Sequence, residues 1–222
     1  METMLALMGK DWRTYRAAVI GTVVLGVGPY LLYTLAALVT RPQYGRGDWI
    51  VTAAPVSLGA VAIIAGAFGG MAWAAERTDR SATFLALLPP TPLLQAVSKL
   101  VVAGGWLVAC FMADACVGLV TWTLLGTDTL GRNPVDQFLP VVAHVASYGF
   151  AVFGVAWASS AVLSSSAISA AIGIVAGFAI ALAMSLVPSE DQRELLWFIA
   201  SLSAGVLGLV VGVAVQVRRV SP

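Results

Sequence analysis

Residues 17–40, AAVIGTVVLGVGPYLLYTLAALVT, run for twenty-four positions without a charged side chain. At 1.5 Å rise per residue, about 20 residues cross the hydrocarbon core of a bilayer, so this segment crosses with some tilt. Pro29 interrupts it, and lipid-embedded helices tolerate proline. The rest of the chain has the same character: of 222 residues, 59% are hydrophobic and 10% charged, and the mean hydropathy is +0.92. A soluble domain carries roughly 25% charged residues. A soluble core of this size has no room for so much apolar surface, whereas a bilayer accepts it.

Working outward, five more segments qualify as spans: residues 49–75, 100–126, 138–163, 167–187 and 195–217. Short polar stretches separate most of them (RPQYGRGD at 41–48, TDTLGRNPVDQ at 127–137, PSEDQRE at 188–194) and a Ser164-Ser165-Ser166 link joins the fourth to the fifth. The expectation is one all-α integral membrane domain over residues 1–222 with six transmembrane helices. Residues 1–16 are not a signal peptide, because charges interrupt them and no small-residue cleavage site follows. At 100° per residue they form an amphipathic helix. Met1, Met4, Leu5, Met8, Trp12 and Tyr15 share one face, Glu2, Lys10, Arg13 and Arg16 the other, with Asp11 at the margin. That pattern predicts a helix lying in the membrane interface.

Charge sets the expected orientation. With six spans, Lys10, Arg13, Arg16, Arg77, Arg80, Lys99, Arg218 and Arg219 fall on one side, and Arg41, Arg46, Arg132 and Arg193 on the other. The positive-inside rule puts both termini in the cytoplasm of a multi-pass plasma-membrane protein. The opposite side holds Asp48, Asp128, Asp136, Glu190, Asp191 and Glu194, which solvate the loops or recruit an extracytoplasmic partner. Glycine pairs four apart, Gly66/Gly70, Gly173/Gly177 and Gly208/Gly212, fit close helix packing within a bundle or across a dimer seam.

Several chemistries are excluded or unsupported. A net charge of +1 gives no basic field for nucleic acid. No GxxxxGK[ST], HExxH or GxSxG occurs, so the chain has no Walker loop and no motif of a hydrolase; it is not expected to be catalytic by itself. One histidine and two cysteines do not make a metal site. Cys110 and Cys116 lie about 240° apart on a helix, so they cannot pair within it, and they read as small buried hydrophobes. Asp114 falls near the middle of the third predicted span, where a carboxylate costs about 2.5–3.5 kcal/mol on insertion scales. It is either a hydrogen-bonded structural acid or part of a substrate path or gate. His144, at the start of the fourth span, is an interfacial polar residue or a member of the same path.

The longest interruption between spans, residues 76–99, carries most information. It reads ERTDRSATFLALLPPTPLLQAVSK: charges first, a short apolar helix-like run, a proline stop, then a new helix entering the third span. Asp79 or Ser81 can cap the short helix, and Pro89 with Pro90 must end it. Held beneath the membrane by two spans, such a helix is a lever.

Here the chain resembles the membrane permease subunits of ABC type-2 exporters. The resemblance covers nearly the whole chain: an N-terminal amphipathic helix with Lys10-Asp11-Trp12-Arg13, six spans, cytoplasmic termini, and the pattern met by Glu76, Arg77, Thr83, Phe84, Leu85, Leu88, Pro89 and Lys99. It implies a cytoplasmic coupling helix between spans two and three, with Glu76, Arg77, Asp79, Arg80 and Phe84 docking on a separate cytoplasmic ABC ATPase. It also implies a second permease copy, identical or a sister, and ATP with Mg on the ATPase rather than on this chain. Two departures stand out: the turn between spans five and six is short, where many members place reentrant helices, and Ala82 precedes Thr83 where the family has glycine. The alternative from the residues alone is a secondary transporter or channel without an ATPase, to which Asp114, Pro29 and Pro55 point.

Overall fold

The computed structural model describes residues 8, 9, 11, 12, 15, 16, 18–25, 28, 29, 31, 32, 35, 48–78, 91–125 and 134–220. Among these, the secondary structure is helical apart from short links at 91, 163–165 and 186–189, with no strand. The described residues between 8 and 35 are helical, and five long helices follow: α1 (Asp48–Thr78), α2 (Pro92–Leu125), α3 (Pro134–Val162), α4 (Ser166–Ser185) and α5 (Glu190–Val220). Each contains a window long and apolar enough to cross a bilayer: Gly59–Glu76, Leu93–Val120, Leu139–Val162, Ser166–Ser185 and Asp191–Arg218. The sequence expectation of a multi-pass helical membrane protein holds for these five. The expected first span and the interfacial helix lie only partly within the described residues.

The helix that enters the third expected span begins at Pro92, straight after the proline stop as the sequence predicts, so Lys99 lies two turns inside α2. The cause is local. Thr91 Oγ1 accepts the Leu94 backbone N–H at 3.3 Å, and Pro92 takes the first helical position, where its missing N–H is not needed. At the other links, Ser165 caps α4 by accepting from the Ile168 N–H, and Arg193 donates from Nε and Nη2 to the Val187 carbonyl at 3.2 and 3.0 Å. That fork closes the short turn between α4 and α5 against a carbonyl left free at a helix end.

Helices α1 and α3 form the centre. Of their apolar windows 61% and 50% is buried, against 17–22% for α2, α4 and α5. Phe68 and Trp73 of α1 meet Val152, Phe153 and Trp157 of α3, with the Trp73 and Trp157 rings edge to face at 5.6 Å. The outer helices turn Val108, Met112, Val175, Phe178, Leu182, Leu195, Leu207 and Val210 outward, all more than half exposed. An apolar exterior of this extent fits acyl chains as its solvent.

Glycine sets the helix spacing, and all three predicted pairs lie at seams within the chain. Gly66 and Gly70 of α1 face Ala170, Ile174 and Ser166 of α4; Gly173 and Gly177 of α4 face Val152, Ala156 and Tyr148 of α3. Gly208 and Gly212 of α5 face Gly154 and Trp157 of α3. At the α3–α5 seam a Cβ on Gly154 would overlap the Gly205 carbonyl, so backbone lies on backbone there. These contacts also fix directions: residue numbers rise together in α1, α3 and α5 and run oppositely in α4.

Candidate functional site

The helix pair α1–α2 is joined by polar contacts at two levels. At the first, Lys99 Nζ of α2 lies 2.8 Å from Glu76 Oε1 of α1 and 3.5 Å from Asp11 Oδ1 of the N-terminal segment. Ser98 Oγ donates to the other Asp11 oxygen at 3.3 Å, and the Lys99 ammonium stands 5.2 Å from the centre of the Trp73 ring. The side chains of Lys99, Asp11 and Glu76 are only 4%, 8% and 12% exposed. Desolvation of each ion costs several kcal/mol, and the short contacts and the aromatic face offset it only while all partners are present. Beneath this cluster Tyr15 packs on Phe68, ring centres 5.4 Å apart, and Trp12 on Trp106 at 4.5 Å. Thus three segments far apart in sequence are pinned at one end of the bundle, the end from which residues 79–90 leave and return.

Of the five residues expected to dock on an ATPase, Glu76 is turned inward into this ion cluster. Arg77 closes α1, and its side chain, like Asp79, Arg80 and Phe84, lies outside the described residues. The capping roles assigned to Asp79, Ser81 and the Pro89-Pro90 stop lie outside them too. Asp11, placed at the margin of the amphipathic helix, is buried at 6% exposure. Its burial was hidden from the sequence because its partners Ser98 and Lys99 are 87 and 88 residues away.

At the second level Ser57 Oγ of α1 donates to Asp114 Oδ2 of α2 at 2.7 Å. Ser57 precedes Glu76 by nineteen residues, about 28 Å of helix rise; Asp114 follows Lys99 by fifteen, about 22 Å. The two levels are therefore separated by most of a bilayer's hydrocarbon, about 30 Å thick. Asp114 lies past the midpoint of α2, two thirds of the way from Pro92 to Leu125. The other carboxylate oxygen, Oδ1, is buried and has no hydrogen-bond partner among the described residues. Asp114 helps line a cavity of about 120 Å³ whose other walls are apolar or nearly so: Val19, Thr22 and Val23 of the N-terminal segment, Val61 and Ile64 of α1, and Trp106 and Phe111 of α2. Cys110 lines the cavity and is half-buried, whereas Cys116 is exposed, so neither is the fully buried hydrophobe expected.

His144 does not join Asp114. It stands on α3, where its Nδ1 donates to the Pro140 carbonyl at 3.0 Å, which fixes the tautomer with hydrogen on Nδ1. Its ring rests 4.8 Å from Phe198 and 6.0 Å from Trp197 of α5. Trp197 in turn donates from Nε1 to Ser147 Oγ and stacks on Tyr148. This aromatic cluster, which the sequence did not announce, fastens α3 to α5 at the end opposite Gln216, which bonds the Ala161 carbonyl. Among the described residues no group of three His, Cys, Asp or Glu side chains is placed to hold a metal.

No family model, curated protein or solved structure matches the chain.

Proposed function

We propose that this chain is the membrane-spanning permease subunit of an ATP-driven ABC exporter, working with a separate cytoplasmic ATPase and a second permease copy. The observation that carries the reading is the Asp11–Lys99–Glu76 cluster. It joins the end of α1 to the start of α2, the two helices that residues 79–90 link in sequence, and adds the N-terminal segment as a third member. A push that arrives through that link reaches all three segments at once, as a coupling element requires. Nucleotide binding in the ATPase then shifts the population of a bundle with two arrangements. In this reading residues 17–40 supply a sixth span, both termini are cytoplasmic, and ATP and Mg sit on the partner. Docking falls to Arg77, Asp79, Arg80 and Phe84, while Glu76 transmits the push through Lys99.

The test is co-purification of the tagged chain from its native membrane, comparing wild type with an Arg77→Glu, Arg80→Glu double variant. An ATPase with a Walker motif comes with wild type and is lost from a monodisperse variant. Absence of any ATPase under gentle extraction overturns the reading. It would favour a transporter or channel working alone, for which the Asp114 carboxylate oxygen that has no partner among the described residues is the supporting observation.

A further inference from the structure

We propose that the cavity beside Asp114 is a binding site for a small lipophilic amine, a protonated nitrogen on an apolar body of about one ring. As a statement about cargo, this rests on the exporter reading; as a statement about binding, it does not.

Size comes first. A cavity of about 120 Å³ is near the volume that, lined by aliphatic and aromatic side chains, stays dry and takes up a benzene-sized guest, about 150 Å³. Val61 and Ile64 form one wall, Val19 and Val23 a second, and the Trp106 and Phe111 rings a third. Phe111 is held in place from behind by its contact with Gly149 of α3.

Chemistry comes second. Thr22 donates its hydroxyl hydrogen to the Ala18 carbonyl at 2.7 Å, so it offers a guest no hydrogen. Asp114 is the acidic group in the lining. Ser57 satisfies Oδ2, and Oδ1 has no partner among the described residues. Half a turn about the terminal torsion of an aspartate exchanges its two oxygens, so the unmet demand belongs to the carboxylate as a whole. An acceptor in an apolar wall selects a donor, and a carboxylate selects a charged one, because ammonium–carboxylate hydrogen bonds are roughly twice as strong as neutral ones. A neutral guest of the same shape would fill the volume and leave Asp114 unmatched. An anion would face a carboxylate across an apolar gap.

The two levels of polar contact put this site at the far end of the bundle from the Lys99 cluster. A lipophilic cation collects at that depth, with its charge towards the interface and its body among acyl chains.

The experiment uses the full chain in nanodiscs of zwitterionic phosphatidylcholine, which supply no anionic lipid. 4-Fluorobenzylammonium and its neutral counterpart 4-fluorobenzyl alcohol are titrated separately and followed by ¹⁹F line broadening. The wild type is expected to bind the amine at least about tenfold more tightly than the alcohol, and Asp114→Asn to bind both alike. Ala109 also lines the cavity; Ala109→Phe, placing a ring there while keeping the carboxylate, is expected to lose both ligands, and it serves if Asp114→Asn does not fold. Equal binding of amine and alcohol by the wild type overturns the proposal, as does an amine preference retained by monodisperse Asp114→Asn or Ala109→Phe. Recovery of the ATPase is read separately, so loss of this site and loss of the exporter reading are distinguishable.

Discussion

Lys99 Nζ lies 2.8 Å from Glu76 Oε1, across the gap between two helices whose intervening stretch is the one expected to receive force. A buried ammonium held between two carboxylates is costly to leave half made. Lys99→Met removes the ammonium that Asp11 and Glu76 share. It is expected to destabilise the fold by about 3–5 kcal/mol, the range for breaking a buried pair. Thermal unfolding of purified protein in detergent checks this. The exchange Glu76→Lys with Lys99→Glu should recover part of the loss, since it restores the pair in reverse; no recovery would mean that packing, not charge, sets the stability of this end.

Helix glycines divide into those another segment touches and those it does not. Gly154→Ala drives a methyl into the Gly205 carbonyl and is expected to cost about 1–3 kcal/mol, as overpacking does. Gly105 has nothing within 4 Å of a built Cβ, and Gly104 only the Leu100 side chain at 4.0 Å. Ala at either is expected to be neutral or to stabilise by up to about 1 kcal/mol through helix propensity. Melting temperatures of the three variants test the contrast. A destabilising Gly105→Ala would show that another chain occupies the space beside it.

The spans were legible because a 1.5 Å rise and a 30 Å hydrocarbon leave few readings for long runs without charge. The start of α2 was legible too, from the proline stop and the Thr91-Pro92 pair, which carries an N-cap and first-position signal. The cluster that hides Lys99 draws on residues 11, 76, 98 and 99, and only tertiary register brings those together. The same holds for Ser57 and Asp114. A glycine pair in sequence announces a close contact without naming the partner, so seams within the chain and seams between chains read alike.

Arg193 places two donors on the Val187 carbonyl in the turn between α4 and α5. Arg193→Ala is expected to weaken that turn by about 1 kcal/mol, speeding amide exchange at residues 186–190 about fivefold with little change in the melting temperature. Hydrogen–deuterium exchange by mass spectrometry measures it. Unchanged exchange would assign the turn's closure to its neighbours instead.

Orientation has its own test. In a background lacking Cys110 and Cys116, Gln192→Cys is expected to react with a membrane-impermeant maleimide in intact cells. Thr91→Cys is expected to react only after permeabilisation, because the positive-inside rule predicts that the cation-rich end faces the cytoplasm. Both positions are exposed. The reverse pattern would place the Lys99 cluster outside and remove the ground for an ATPase at that end.

Where α5 crosses α3, main chain rests on main chain at Gly154, Gly205 and Gly208. Such a joint has no rotamers to rearrange and so almost no play. Displacement entering one of these helices passes to the other undamped, and the pair moves as a single stiff frame. Helix α2 is held by side chains instead, at Lys99, Trp106, Phe111 and Asp114. In the proposed reading, a stroke entering at the Lys99 end of α2 would work against side-chain contacts that can re-pack, while the α3–α5 frame holds its shape.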